Sequence, residues 1–319
     1  MSDARSSATR ARTTLEFRLF LAPRNWPVAL SLGVLWLAGR LPYTAQVKVG
    51  RTLGRVMLAT MARRRRIART NLALCFPEVS SSEQATLLRR HFEELGQALL
   101  NTGIAWWGSE HEIAALGHIE GLHHLETALQ RGKGAILLTG HMTSMDLGGQ
   151  ILALALTATA RPLQVMYKRS RNPLFEMQIR RGRERFTRRI FLRDDFRAFM
   201  RGLKEGLPTW YAPDQDFGLK HGVFADFFGV PTASLTTTAR LAASSGAPVV
   251  PYFPIRLPNG RGIAIKIGPA LADFPSGDDR TDARRINELI EHAVREHPEQ
   301  YWWVHRRFKT RPEGLAKVY

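Results

Sequence analysis

The sequence predicts an α/β fold, a mixed and largely parallel sheet flanked by helices, with a membrane-associating helix near the N-terminus. Two observations carry the sheet. Short aliphatic runs recur between helix-like segments, and such continuous apolar runs suit strands buried on both faces better than the alternating pattern of half-exposed ones. The third observation is the uncharged run Trp26 to Gly39. A chain of 319 residues with 44% hydrophobic and 9% aromatic content can bury a substantial core.

Taken in order, residues 1–25 form a basic tail carrying Arg5, Arg10, Arg12, Arg18 and Arg24. Residues 26–40 then read as a membrane anchor, interfacial or a short single pass, because the run falls short of the roughly 20 residues that cross a bilayer comfortably, and Trp26 and Trp36 suit an interface. Cations flank it on both sides, so charge assigns no orientation. The leading basic region is too long for a cleaved signal peptide. Residues 41–319 read as one domain. Helices are expected at 45–61 and at 81–107, the second opened by the cap-like Ser81-Ser-Glu-Gln84 after the breaker Pro77. Strands follow at 135–138, 163–167, 209–211, 249–253 and 264–267, with helical stretches at 147–156, 173–185, 195–204 and 235–244 between them. A last amphipathic helix at 284–296 is expected to be capped by Thr281 or Asp282. No repeat, Ser/Gly linker, phosphate-binding glycine loop or Gly-x-Ser-x-Gly elbow interrupts this pattern.

Charge is the extreme feature of the composition. With 46 Lys and Arg against 28 acids the net charge is +18, a field that favours polyanions such as nucleic acid, an anionic membrane surface or an acidic carrier protein. Arginine concentrates at Arg63 to Arg66 with Arg69, and at Arg180, Arg181, Arg183, Arg185, Arg188 and Arg189. Each cluster reads either as a solvated helix face or as a phosphate contact, for which the planar guanidinium is suited. The single cysteine, Cys75, excludes an intrachain disulfide framework and reads as a small buried hydrophobe.

The chemistry concentrates in Gly134-Ala-Ile-Leu-Leu-Thr-Gly-His141-Met-Thr-Ser-Met-Asp146. An apolar strand ends on a histidine, and a carboxylate five positions later falls in the first turn of a helix that Thr143 or Ser144 can cap. His141 would act as a general base and Asp146 would orient it. Spacing alone is weak, since His221 to Asp226 repeats it; that copy lacks the preceding strand and reads as a loop histidine. Tyr211-Ala-Pro-Asp-Gln-Asp-Phe-Gly218 sets Asp214 and Asp216 in a turn after another strand. They read as a structural turn or as a pocket wall, and poorly as a metal site, there being no nearby histidine. Tyr167-Lys-Arg169-Ser-Arg171-Asn-Pro173 follows a third strand. Ligands bind at such strand-end loops, so His141, Arg169 and Asp214 are expected to converge. Neither metal nor cofactor is called for.

With these residues assembled, the chain resembles the late acyltransferases of lipid A biosynthesis, of lauroyl or myristoyl type, within the lysophospholipid acyltransferase superfamily. The likeness runs from about Trp26 to Pro312. It rests on Arg64-Arg-Arg-Ile-Ala-Arg-Thr-Asn-Leu72, Phe76-Pro-Glu, the His141-x4-Asp146 box, Arg171-Asn-Pro-Leu174, Arg180-Arg-Gly-Arg183, Tyr211 to Gly218, Gly246-Ala-Pro-Val-Val-Pro251 and Trp303-Val-His-Arg-Arg-Phe-Lys309. One departure is Asp146, where close relatives commonly carry Glu. The resemblance implies transfer of a fatty acyl chain from acyl carrier protein to a hydroxyacyl chain of a Kdo-lipid A precursor. It also implies an inner-membrane location with the catalytic domain facing the cytoplasm, among anionic lipids, and no nucleic-acid partner. His141 and Asp146 would be catalytic. Arg169, Arg171, Arg180, Arg181, Arg183, Asp214 and Asp216 would bind or position substrate. The alternatives are the same fold acting on a lysophospholipid, glycolipid or ornithine lipid, or a basic nucleic-acid-binding protein.

Overall fold

The structure, a computed structural model, describes residues 19–157, 159, 161–187, 189–192 and 195–319. Residues 1–18 of the expected basic tail, and Arg188, lie outside them. Its strands are β1 (Gly117–Glu120), β2 (Ala135–Leu138), β3 (Gln164–Tyr167), β4 (Arg189–Leu192), β5 (Pro208–Tyr211), β6 (Gly222–Phe227), β7 (Val230–Leu235), β8 (Val249–Arg256) and β9 (Ile263–Ile267). Seven of them form one sheet in the order β1-β9-β8-β2-β5-β3-β4. All pairings in it are parallel except β8 with β9.

The burial of β2 explains why this sheet needs continuous apolar runs. Ala135 and Leu137 belong to one hydrophobic core, Ile136 and Leu138 to a second on the opposite face. The first core is completed by Leu147, Ile151 and Leu152 from the helix Met145–Thr157 and by Leu125 and Leu129 from the helix Leu122–Gln130. The second is completed by Phe199, Leu241, Ile286 and Ile290, with Phe92 from the long helix Ser81–Trp107. Truncating a fully buried leucine such as Leu137 to alanine would cost about 2–5 kcal/mol.

All five expected strands lie in the sheet. The expectation omits β1 and β4, which are its edges; an edge strand such as Gly-His-Ile-Glu is only half-buried, so no continuous apolar run announces it. It also omits the antiparallel hairpin of β6 and β7, whose turn places Phe228 and Gly229 at positive φ. Cap residues differ by a few positions. Ser80 caps Ser81–Trp107 in a reciprocal box with Glu83, and Asp278, rather than Thr281 or Asp282, caps the helix Asp279–Glu296 by accepting from the Thr281 N–H.

The N-terminal part is helical: α1 (Trp26–Ala38), α2 (Tyr43–Thr60), α3 (Ala62–Cys75) and α4 (Ser81–Trp107). α2 lies against α4 through glycines. A Cβ on Gly54 would stand 2.1 Å from the Phe92 carbonyl oxygen, and one on Gly96 would stand 2.1 Å from that of Gly50, so the backbones meet only because both positions lack one. α1 buries Leu32 and Leu35 and exposes Trp26, Leu30, Val34 and Leu37. Its 13 residues span about 20 Å, against about 30 Å of bilayer hydrocarbon. Among the described residues no helix is long and apolar enough to cross a membrane.

Candidate active site

β2 and β5 are parallel neighbours in which Leu138 pairs with Tyr211. Three residues beyond that pair on each strand stand His141 and Asp214, so the register of the sheet delivers both to one point above its C-terminal edge. Gly140 lets the loop pack closely on the helix Asp279–Glu296, since a Cβ there would stand 2.9 Å from Ile290 Cγ2. The His141 ring Nδ1–H donates to Asp214 Oδ1 at 2.5 Å, and the His141 backbone N–H donates to Oδ2 at 2.8 Å. This fixes the tautomer and leaves Nε2 with its lone pair.

The Asp214 side chain is 1% exposed and that of His141 is 21% exposed. Burial opposes both charges. For Asp214 it is outweighed by His141, through charge and hydrogen bonds, and by the Arg307 guanidinium, which together hold the carboxyl down at about 2. For His141 burial is outweighed by Asp214, which raises the imidazole above its ordinary value. Burial, with the Asp214 charge beside it, pushes the Tyr301 phenol far up. His305, by contrast, is driven down to about 4 by burial.

A C-terminal strap secures this pair. The Trp302 N–H donates to the His141 carbonyl at 2.9 Å, and the Thr143 N–H donates to that of Gln300 at 2.8 Å. Asp216 anchors the strap's far end, accepting from the Thr310 N–H at 2.8 Å and its hydroxyl at 2.9 Å. Asp216 is therefore a tether inside the protein, its carboxylate occupied by these bonds.

Asp146 does not hold His141: no hydrogen bond joins them among the described residues. It stands in the first turn of the helix Met145–Thr157, as expected, but its carboxylate accepts from Arg183 Nη2 at 3.1 Å, in a pair whose side chains are 39% and 23% exposed. Asp146, in the first turn of its own helix, turns its carboxylate to Arg183, whereas Asp214 reaches His141 across one strand spacing. Ser144 does not cap that helix through its hydroxyl, which donates to the Pro254 carbonyl at 2.5 Å.

His141 opens onto a cavity of about 860 Å³ walled by Met166, Tyr167, Trp210, Tyr211 and Leu241, with Lys168 and Arg240 among its cations. A second apolar cavity of about 390 Å³, lined by Met57, Leu95, Met142, Asp146 and Trp302, lies on the other side of the same loop. Of the expected cations, Lys168 reaches the first cavity, while Arg169 and Arg171 are exposed on the loop beside it and do not line it. Arg180 pairs with Glu184 at 2.9 Å, and Arg181 is exposed beside it on the same helix. Arg183 of that cluster reaches the histidine loop, through Asp146. His221 stands exposed at the rim of the large cavity.

A strand-exit histidine held by a buried carboxylate at an apolar cavity is the arrangement of an acyl-transfer site, and the comparison with known proteins agrees. Residues 16–310 match the family model described as bacterial lipid A biosynthesis acyltransferase. The chain belongs to that family. It is 37% identical over 300 residues to the lipid A biosynthesis lauroyltransferase of Escherichia coli K12, covering 94% of this chain and 96% of the relative. It is 36% identical to that organism's lipid A biosynthesis palmitoleoyltransferase, covering 95% and 97%, and 33% identical to its lipid A biosynthesis myristoyltransferase, covering 94% and 92%. The acyltransferase thus acts in lipid A biosynthesis. Its relatives' names differ in the acyl group, so family membership does not fix the chain length.

The carboxylate that sequence reasoning assigned to the histidine was the local one. The signal for Asp214 was present in the Tyr211 to Gly218 turn after a strand, and the expected convergence of His141 with Asp214 is what the sheet produces. Nothing in the sequence marked Tyr301 and Arg307 as neighbours of Asp214, because they lie some 90 positions downstream (about one-quarter of the chain) and only the strap brings them back.

Proposed function

We propose that the acyltransferase moves a lauroyl- or myristoyl-type chain from acyl carrier protein to a hydroxyl on a hydroxyacyl chain of a Kdo-lipid A precursor, with His141 as the base. The observation that carries this reading is the His141 Nδ1–H bond to buried Asp214, which leaves Nε2 free at an apolar cavity. Nε2 takes the proton of the acceptor hydroxyl as its oxygen attacks the thioester carbonyl, and the thiol leaves with a proton returned from the imidazolium. The ionised Asp214 stabilises that imidazolium. No acyl-enzyme is required. Asp146 contributes through Arg183, whose guanidinium it holds where an anionic oxygen develops. Lys168, with Arg169 and Arg171 on the same loop and Arg180 and Arg181 beyond it, meets the phosphates of the acceptor.

The apolar stripe of α1 lies in the membrane interface rather than across it, with Trp26 and Trp36 at head-group level, and the net charge of +18 draws the domain to anionic lipid on the cytoplasmic side of the inner membrane. The deciding experiment incubates purified enzyme with the lipid A precursor and either acyl carrier protein or coenzyme A thioesters of several chain lengths, and weighs the product by mass spectrometry. One added acyl group, faster from acyl carrier protein, is the expected result. Equal acylation of lysophospholipid or ornithine lipid would replace the acceptor assignment.

A further inference from the structure

The arginine run on α3 is not used by the site at His141. Its residues divide among three surroundings. Arg64 donates to the Val304 carbonyl at 3.0 Å, and Arg63 and Arg66 are exposed. Arg65 and Arg69, one helical turn apart, face a different groove of about 650 Å³ formed between α2, α3 and the start of α4. Its floor is apolar, from Leu58, Leu72 and Leu88, and Arg55 completes a rim of three arginines. Among the described residues no acidic side chain lines it. Arg55 is partly neutralised by Glu93 at 2.8 Å. Arg65 spends one nitrogen on the Leu58 and Ala59 carbonyls at the end of α2, and neither it nor Arg69 has a carboxylate partner among the described residues. The groove shares no lining residue with the cavity at His141.

We infer that this groove binds an anionic glycerophospholipid of the surrounding bilayer, its phosphate between Arg65 and Arg69 and part of one acyl chain on the leucine floor. Two features select an amphiphile over an acidic protein surface: the cations rim a concavity, and the concavity is apolar. A guanidinium pair suits a phosphate because it can donate two parallel bonds to it. The groove also adjoins a face that already favours lipid, since Val56, next to Arg55 on α2, is exposed, as is Val49 two turns earlier. Occupancy would seat the domain on the membrane independently of α1.

The test uses the full chain and flotation with phosphatidylcholine vesicles that contain or lack phosphatidylglycerol. Arg65→Gln with Arg69→Gln should weaken binding to the phosphatidylglycerol vesicles about tenfold further than Arg63→Gln with Arg66→Gln, a pair removing the same charge outside the groove. Binding to phosphatidylcholine alone should not change. Because Arg65 also holds the end of α2, Ala85→Trp provides a second variant that fills the groove at constant charge, and it should lose the same preference. Inorganic phosphate at millimolar concentration should not compete, since it offers the leucine floor nothing. Equal losses in both arginine pairs, an undiminished preference in Ala85→Trp, competition by phosphate alone, or a loss of acyl carrier protein binding in place of lipid binding would each overturn the assignment.

Discussion

Two carboxylates flank the same histidine loop and are held in opposite ways. Asp214 is sealed above the sheet's C-terminal edge, accepts two hydrogen bonds from His141, and feels Arg307, so its charge is permanent at any physiological pH. Asp146 sits a few residues from His141 in the chain, yet faces partly into solvent and spends itself on Arg183. An ion pair that exposed is worth about 1 kcal/mol or less, whereas removing one partner of a buried charged pair leaves the other uncompensated at a cost of about 3–5 kcal/mol. Proximity in sequence and electrostatic weight therefore belong to different residues here.

The largest expected effects test the buried pair. His141→Ala should lower kcat by at least about a thousandfold while the protein still melts cooperatively, as removal of a general base does. Asp214→Asn should cost about a hundredfold or more, and it should also move the pH profile. Base catalysis needs neutral His141, whose raised pKa puts the acidic limb of kcat above its ordinary 6.5; without the Asp214 charge the limb should move to lower pH. A limb that stays in place in Asp214→Asn would mean that another group sets it.

Stability should follow the same pair. Asp214 is depressed from 3.8 to about 2, so its contribution is complete above about pH 4 and disappears as pH falls toward 2. His141 is raised, so its contribution is complete below 6.5 and fades as pH rises through the raised value. Thermal melts between those limits should show the pair's stabilisation at its fullest, and Asp214→Asn should flatten that dependence.

Asp146→Asn sharpens the comparison from the other side. Acting through Arg183, it should lower kcat by about tenfold to a hundredfold without shifting the acidic limb, and Asp146→Glu should retain most activity. If Asp146→Asn shifts the limb as Asp214→Asn does, the two carboxylates share the histidine during turnover. Asp216→Asn should act on stability instead, by about 1–3 kcal/mol, through the Thr310 tether, read as a lower melting temperature with kcat largely kept. The smallest effect belongs to the rim: His221→Ala should leave kcat within about threefold of the parent, the range of an exposed side chain with no buried partner. A loss comparable with His141→Ala would transfer the base to the other histidine.

What the chain's own order determined is local. The aliphatic runs at 135–138 and 249–253 are strands because only a strand buried on both faces needs such continuity, and Ser80 with Glu83 starts α4 because the two side chains satisfy each other's backbone across one turn. His141 at a strand exit and Asp146 in the following helical turn were legible for the same reason. The short α1 was legible as apolar, and its 13 residues span less than the bilayer hydrocarbon. Only the tertiary structure decided which carboxylate serves the histidine. The parallel pairing of β2 with β5 sets Leu138 beside Tyr211 and so sets residue 141 beside residue 214, while the strap returns Tyr301 and Arg307 to the same point. Register and chain return are long-range facts, fixed by how two cores pack on one sheet, and no spacing within a single segment encodes them.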